Sequence, residues 1–294
     1  MPDPVPIINS LGHIATRQQL VARGCSGFDL TVAVRRGEIW RVRQARYSTL
    51  GASAEAIAAT RVGGMLAGPS AARSYGLWSG FDRRVHVSVG ANSSRLRTNF
   101  APSVQPQTLS PDFSDREVVL HWLIGGAVPE LGPECWRVPW ITALRQVVAW
   151  CDRETAIACL DTARTKLQLT NATLIDIFRK APPSDRLLVV ASCPGSDAGS
   201  ESVVRQRLLA ASITVTQQVQ FPVGRVDMQV DGTRILIEVD GKEFHDSPEA
   251  RERDRFRDAE LVALNYVVIR LSYRQIFEDW PWCLRIIRDA MANA

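Results

Sequence analysis

The stretch Arg225 to His245, RVDMQVDGTRILIEVDGKEFH, constrains the fold more than any other part of the chain. Apolar and polar residues alternate on both sides of Asp231-Gly232, a dipeptide suited to a tight hairpin turn. A two-residue turn there would pair Val230 with Thr233 and Asp227 with Leu236. Side chains alternate along a strand, so Asp227, Leu236, Glu238 and Asp240 would share one face. Val226, Met228, Ile235, Ile237 and Val239 would form an ordinary core face opposite. Glu238 would then be the diagonal neighbour of Asp227, roughly 7–8 Å away. Carboxylates gathered on one face repel unless a cation holds them, and oxygen donors suit Mg²⁺, Mn²⁺ or Ca²⁺. The alternative is an exposed sheet face that happens to be acidic. The Ile, Leu and Val content of the second strand argues for a central strand and against it.

Elements with their own chemistry flank this hairpin. A helix is expected from Gly199-Ser200 to about Ala211, with Glu201, Val204 and Leu208 on one side. A carboxylate on an apolar stripe is costly unless paired. Glu201 either serves a site or complements the helix N-terminus. After the hairpin come Lys242 and His245, then a charged helix, PEARERDRFRDAELVAL. Its Arg253, Asp254, Arg257 and Asp258 are helical neighbours, as in a face laced with ion pairs. A strand, Tyr266 to Arg270, and a helix from about Pro281 to Met291 complete the chain.

This order of elements resembles the PD-(D/E)XK nuclease superfamily. The closer likeness is to the domain related to very-short-patch repair endonucleases. The residues that carry it are Glu201, Asp227 of RVD, Glu238, Asp240 and His245 of IEVDGKEFH, Asp254 and Asp258 of RDRFRDAEL, and Arg270 of VVIRL. The resemblance covers about the last hundred residues. It implies a restriction-endonuclease-like α/β domain in which Asp227, Glu238 and Asp240 hold Mg²⁺ or Mn²⁺. Glu201 would contribute through water, and Lys242 or His245 would handle the proton. The superfamily usually has Lys where this chain has Asp240, and a carboxylate cannot supply that positive charge. The repair-endonuclease relatives also lack the Lys and carry His nearby.

The other end of the chain is basic. Residues 1–50 hold seven Arg against three acids, net +4, whereas residues 197–294 hold thirteen Lys/Arg against sixteen acids, net −3. A basic head suggests contact with a polyanion. Thr16 and Gln19 form a capping-box pattern for a short helix with Leu20 and Val21 as its apolar face. Ser26 and Asp29 open a second helix with Leu30, Ala33 and Val34 buried. Ile39 to Val42 and Tyr47 to Thr49 read as two strands. Helix, turn, helix and hairpin is the winged helix-turn-helix pattern, a module that binds DNA or protein. On DNA, Thr31, Arg35 and Arg36 would face the groove, and Arg41, Arg43 and Arg46 would line the wing. The segments HIATRQQLVARG and AVRRGEIWRVRQARY resemble the N-terminal region of AbiEi-type antitoxins. Those proteins usually have Gly at the wing turn, where this chain has Ala45, a residue that accepts the left-handed conformation poorly.

Between the ends the expected order is helix 52–61, helix 69–75, strand 84–89, a loop over 96–115, strand 118–124, and helices 142–150, 154–166 and 173–178. The AbiEi-type likeness continues through GPSAARSYGLW, RRVHVSV and ALRQVVAWCDRETAIACLDTA. His86 and His121 read as structural histidines. At 294 residues, two or three domains are expected. The boundaries expected are a winged helix over 1–50, a mixed α+β segment over 51–195 and the nuclease-like domain over 196–294. The six cysteines form no CxxC pair and no apolar run is long enough to span a bilayer, so a reduced, cytoplasmic, nucleoid-associated protein is expected. Two functions follow. One is a DNA-binding, Mg²⁺-dependent endonuclease. The other is a non-catalytic autoregulator, the antitoxin of a type IV toxin–antitoxin system with a cognate toxin as partner and a degenerate nuclease fold.

Overall fold

The computed structural model describes residues 2–98, 117–123, 134–240 and 248–293. Two compact units divide at Cys151/Asp152. The chain is mixed α+β, with three small sheets among the described residues.

In the first unit, α1 (Pro4–Ser10) precedes β1 (Ile14–Thr16), α2 (Arg17–Val21) and α3 (Gly27–Arg35). The strands β2 (Trp40–Arg43) and β3 (Arg46–Ser48) join β1 in an antiparallel sheet of order β1-β3-β2. Both expected capping boxes form: Thr16 with Gln19, and Ser26 with Asp29. Ile8, Leu20, Leu30, Ala33, Ile39 and Tyr47 share one core. Val21, expected on the apolar face, is 48% exposed, because α2 is one short turn that buries Leu20 alone. Ala45 adopts φ 58°, the left-handed conformation that glycine usually takes.

The rest of this unit is built on α4 (Ala54–Val62), β4 (Met65–Leu66), α5 (Gly68–Ser74), β5 (Val85–Val89), β6 (Val118–Trp122) and α6 (Trp140–Trp150). The expected loop lies almost wholly outside the described residues, and the strand expected over 118–124 ends at Trp122. β5 runs parallel to β6 and antiparallel to β4. His86 lies between Asp82 and His121, with Nε2 3.0 Å from Asp82 Oδ2 and Nδ1 2.9 Å from His121 Nε2. The His121 ring stacks on Trp150 with centroids 3.7 Å apart.

The second unit opens with α7 (Arg153–Lys166), α8 (Asn171–Ile177) and α9 (Pro183–Ala191). It continues with α10 (Gly199–Ala210), β7 (Val215–Phe221), β8 (Gly224–Val230) and β9 (Ile235–Asp240). The last elements are α11 (Pro248–Ala263), β10 (Val267–Ser272), α12 (Tyr273–Glu278) and α13 (Trp280–Ala292). The sheet order is β10-β9-β8-β7, with β9 and β10 parallel and the other pairs antiparallel.

Residues 152–195, expected with the middle segment, group with the C-terminal half. A buried polar link ties them there. Asp161 on α7 is fully buried and accepts hydrogen bonds from Ser202 Oγ (2.6 Å), Arg205 Nη2 (2.8 Å) and the Cys193 N–H (2.8 Å). Glu154 holds Arg207 of α10 through both carboxylate oxygens. Buried charges persist only when paired in this way.

Candidate active site

The turn at the tip of β8 and β9 sets the register of the acids. Gly232 (φ 72°) takes the left-handed position, and the Thr233 N–H donates to Val230 O at 3.1 Å. Asp231 keeps a negative φ, so the primed turn needed for a two-residue loop does not form. Gln229 Nε2 instead donates to Thr233 O, and the Ile235 N–H to Thr233 Oγ1. The observed partners are Gln229 with Leu236 and Met228 with Ile237. The expected pairing of Asp227 with Leu236 is thus displaced by two residues. An even displacement keeps every side chain on its face. Carried one residue further, this register sets Asp227 abreast of Glu238, closer than the expected diagonal. There the Asp227 carboxylate intervenes: Oδ2 accepts the Val239 N–H at 2.8 Å.

Glu238 lies on the central strand and is 7% exposed. Arg257 Nη2, from α11, is 3.0 Å from its Oε2 and 2.8 Å from its Oε1. Arg270 Nε, from β10, is 2.9 Å from Oε2, and Arg270 Nη2 is 2.7 Å from Asp258 Oδ1. The parallel register sets Arg270 beside Glu238. Oε1 is buried without an aligned hydrogen bond despite the short approach of Arg257. Burial raises the Glu238 carboxyl above its ordinary range, and the two arginines oppose that rise.

Glu201 occupies the first turn of α10 and is also buried. Its carboxylate accepts the Asp197 N–H (2.9 Å), the Ala198 N–H (3.1 Å) and Gln218 Nε2 (3.0 Å). It therefore closes the helix N-terminus, one of the two roles expected. Burial, and then the nearby Asp227 charge, push its pKa up to about 7. Asp227 is raised as well, chiefly by burial, against Arg225 and Arg257. Glu201 and Glu238 each feel the Asp227 charge. Asp227 of β8 thus acts on one buried carboxylate of α10 and one of β9.

Asp240 is exposed at the end of β9, beside Ser272. Lys242 and His245 lie outside the described residues, as does the side chain of Asp254. Among the described residues, no group of three or more His, Cys, Asp or Glu is arranged to hold a metal ion. Two donors do fit a hard cation chemically: Asp227, with one oxygen spent on Val239, and Glu238, with its buried, poorly bonded Oε1.

Arg257 is the residue that sequence reasoning passed over, having been read as part of a solvated ion-pair face. It brings a positive charge to Glu238, near where Asp240 replaces the expected Lys. Its spacing from Asp258 and Asp254 marked a charged helix but gave no sign of which strand that helix covers.

In the basic head, Thr31, Arg35, Arg36 and Arg41 are exposed. Arg43 and Arg46 turn inward. Arg43 Nη1 donates to Arg61 O (2.6 Å) and Val62 O (2.9 Å), and Arg46 Nη1 to Cys135 O (3.1 Å).

Two comparisons with known proteins bear on this chain. A stretch of 54 residues is 37% identical to an uncharacterized protein of Haemophilus influenzae, covering 18% of this chain and 44% of that protein. The chain therefore spans less than half the length of this relative. Residues 201–291 match the model of REase_MTES_1575, a restriction endonuclease-like family. That span begins at Glu201 and takes in Asp227, Glu238, Arg257 and Arg270, so the chain carries a nuclease-like domain at its C-terminal end.

Proposed function

We propose that this protein binds DNA and that its C-terminal domain hydrolyses phosphodiester bonds with the help of Mg²⁺ or Mn²⁺. The observation that carries the reading is the strand register that sets Asp227 beside the buried Glu238, both inside the span that matches a restriction endonuclease-like family. Asp227 and Glu238, joined by Asp240, would hold the cation. When bound, it would activate water and neutralise charge on the scissile phosphate. Arg257 and Arg270 supply the positive charge that Asp240 cannot, and they release Glu238 as the cation takes their place. Glu201 orders the start of α10 and contributes through water. Lys242 or His245 handles the proton.

The basic head is read as a winged helix. The exposed Thr31, Arg35, Arg36 and Arg41 would meet DNA, whereas Arg43 and Arg46 serve mainly to brace the wing. Such a protein would work in the cytoplasm, on the nucleoid.

One observation favours a second reading. Two guanidinium groups already neutralise Glu238, which suits a nuclease fold retained without catalysis. The protein would then be an AbiEi-like autoregulator that binds its own operator and a cognate toxin.

Incubation with supercoiled, linear, mismatched and single-stranded DNA in Mg²⁺ or Mn²⁺ separates the two. Cleavage that disappears in Asp227→Asn and Glu238→Gln supports the hydrolase. Salt-dependent promoter binding without cleavage of any substrate supports the regulator.

A further inference from the structure

The middle of β7 departs from strand geometry beside the candidate site. Gln218 has φ 56°, and among the described residues it is the one non-glycine residue of positive φ that lies inside a strand. The β7–β8 register keeps one alignment from Val215 with Val230 to Phe221 with Gly224, yet it omits Gln218 and Asp227, which that alignment sets directly opposite each other. An interruption of this kind re-aims a side chain, and the backbone strain persists only where the surroundings enforce it.

The hydrogen bonds show what the re-aimed amide does. Gln218 Nε2 donates to Glu201 Oε2 at 3.0 Å, an oxygen that also accepts the Asp197 N–H at 2.9 Å. Gln218 Oε1 is buried and has no hydrogen-bond partner among the described residues. Glycine would take this φ without strain and leave no orphaned oxygen, so the fold alone does not call for glutamine here. Because β8 lies between β7 and β9, Gln218, Asp227 and Glu238 stand in one row across three adjacent strands. Glu238, at the other end of that row, has a side chain 9% exposed, and its Oε1 is likewise buried without an aligned hydrogen bond. Buried oxygens with spare lone pairs on both sides of a carboxylate suit a hard cation, for which an amide oxygen is an ordinary donor.

We propose that Gln218 belongs to the cation site. Its Oε1 joins Asp227 and Glu238 as an uncharged oxygen ligand, while its Nε2 holds the Glu201 carboxylate in place. The assignment rests on the reading of Asp227 and Glu238 as cation ligands and extends it to a residue of β7. An amide suits this position better than a further acid, whose charge would repel Glu201 and Asp227 whenever the ion is absent.

The test uses the full chain and reads Mn²⁺ binding by calorimetry, without DNA. Gln218→Met keeps the reach of the side chain and removes both amide atoms, and Gln218→Gly also removes the strain. Each should lower Mn²⁺ affinity by roughly tenfold or more. Gln218→Gly should leave the metal-free melting temperature near that of wild type, because relief of the left-handed φ offsets the lost hydrogen bond. Gln218→Glu keeps an oxygen at the same reach but loses the donor to Glu201. It should lower the metal-free melting temperature and still bind Mn²⁺ about as well as wild type. A residue that served only to hold Glu201 would lose affinity in Gln218→Glu as it does in Gln218→Met, and that result overturns the proposal. Wild-type affinity in both Gln218→Met and Gln218→Gly overturns it as well. Asp227→Asn separates this failure from that of the wider reading. If wild type binds Mn²⁺ and Asp227→Asn does not, the cation site stands and the Gln218 variants decide the amide's part. If wild type binds no Mn²⁺, the cation site falls and the role of Gln218 falls with it.

Discussion

Glu201 makes folding of the second unit depend on pH in the direction opposite to that of most carboxylates. Three donors, two backbone N–H groups and Gln218, favour its charged form. Burial and the Asp227 charge outweigh them and move its pKa from 4.5 to about 7. Between these values the folded state keeps a proton that the unfolded state has lost. Stability therefore rises as pH falls from 7 towards 4.5, and the ionised form bears the burial cost above 7. At about 1.4 kcal/mol per pH unit, the full interval amounts to roughly 3 kcal/mol. Glu201→Gln keeps the shape and one acceptor but cannot titrate. Hydrogen exchange of α10 peptides, compared between variant and wild type at each pH, removes the intrinsic rate effect. Wild-type protection should gain on the variant by roughly 2 kcal/mol between pH 7.5 and 5. Parallel profiles for the two proteins would refute the burial argument.

Three further outcomes are expected. Ala45→Gly should stabilise the first unit by about 1 kcal/mol in denaturant unfolding, because Ala45 holds a left-handed φ that glycine adopts without strain. His121 should make the same unit acid-sensitive: burial and the neighbouring His86 lower its pKa from 6.5 to about 4. The neutral ring is the form that folds best, so stability is present above 6.5 and is lost as pH falls towards 4. His121→Phe should flatten that loss in a thermal melt, while an unchanged acid limb would contradict it. Mn²⁺ at a hundredfold excess over its dissociation constant should stabilise wild type by about 2.7 kcal/mol, and Asp227→Asn should abolish the effect.

Much of the C-terminal half was legible because its signals are local. Period-two alternation put Asp227 and Glu238 on one face, and the even displacement of register left that face intact. What escaped was set by tertiary contact. β7 has Gln at three of its seven positions and shows no clean alternation, yet it pairs along its length with β8. α9 lies between a proline-rich segment and a glycine-rich one, and no helix is expected there, although Val189 is buried. α1 opens with two prolines in the first turn, and its burial of Ile8 depends on elements further along the chain. The inward turn of Arg43 depends on a glycine twenty residues away. The ion pairs of Arg257 and Arg270 with Glu238 required knowing that β10 lies parallel to β9 and which part of α11 comes near it.

Cleavage of supercoiled DNA in Mn²⁺ by wild type, Asp227→Asn, Glu238→Gln and Asp240→Asn tests the acid cluster most directly. Nicked or linear product from wild type, lost in the first two variants and dependent on added metal, is expected. Equal products from wild type and Asp227→Asn, or none from wild type at any pH between 6 and 9, would contradict a hydrolytic role for these carboxylates.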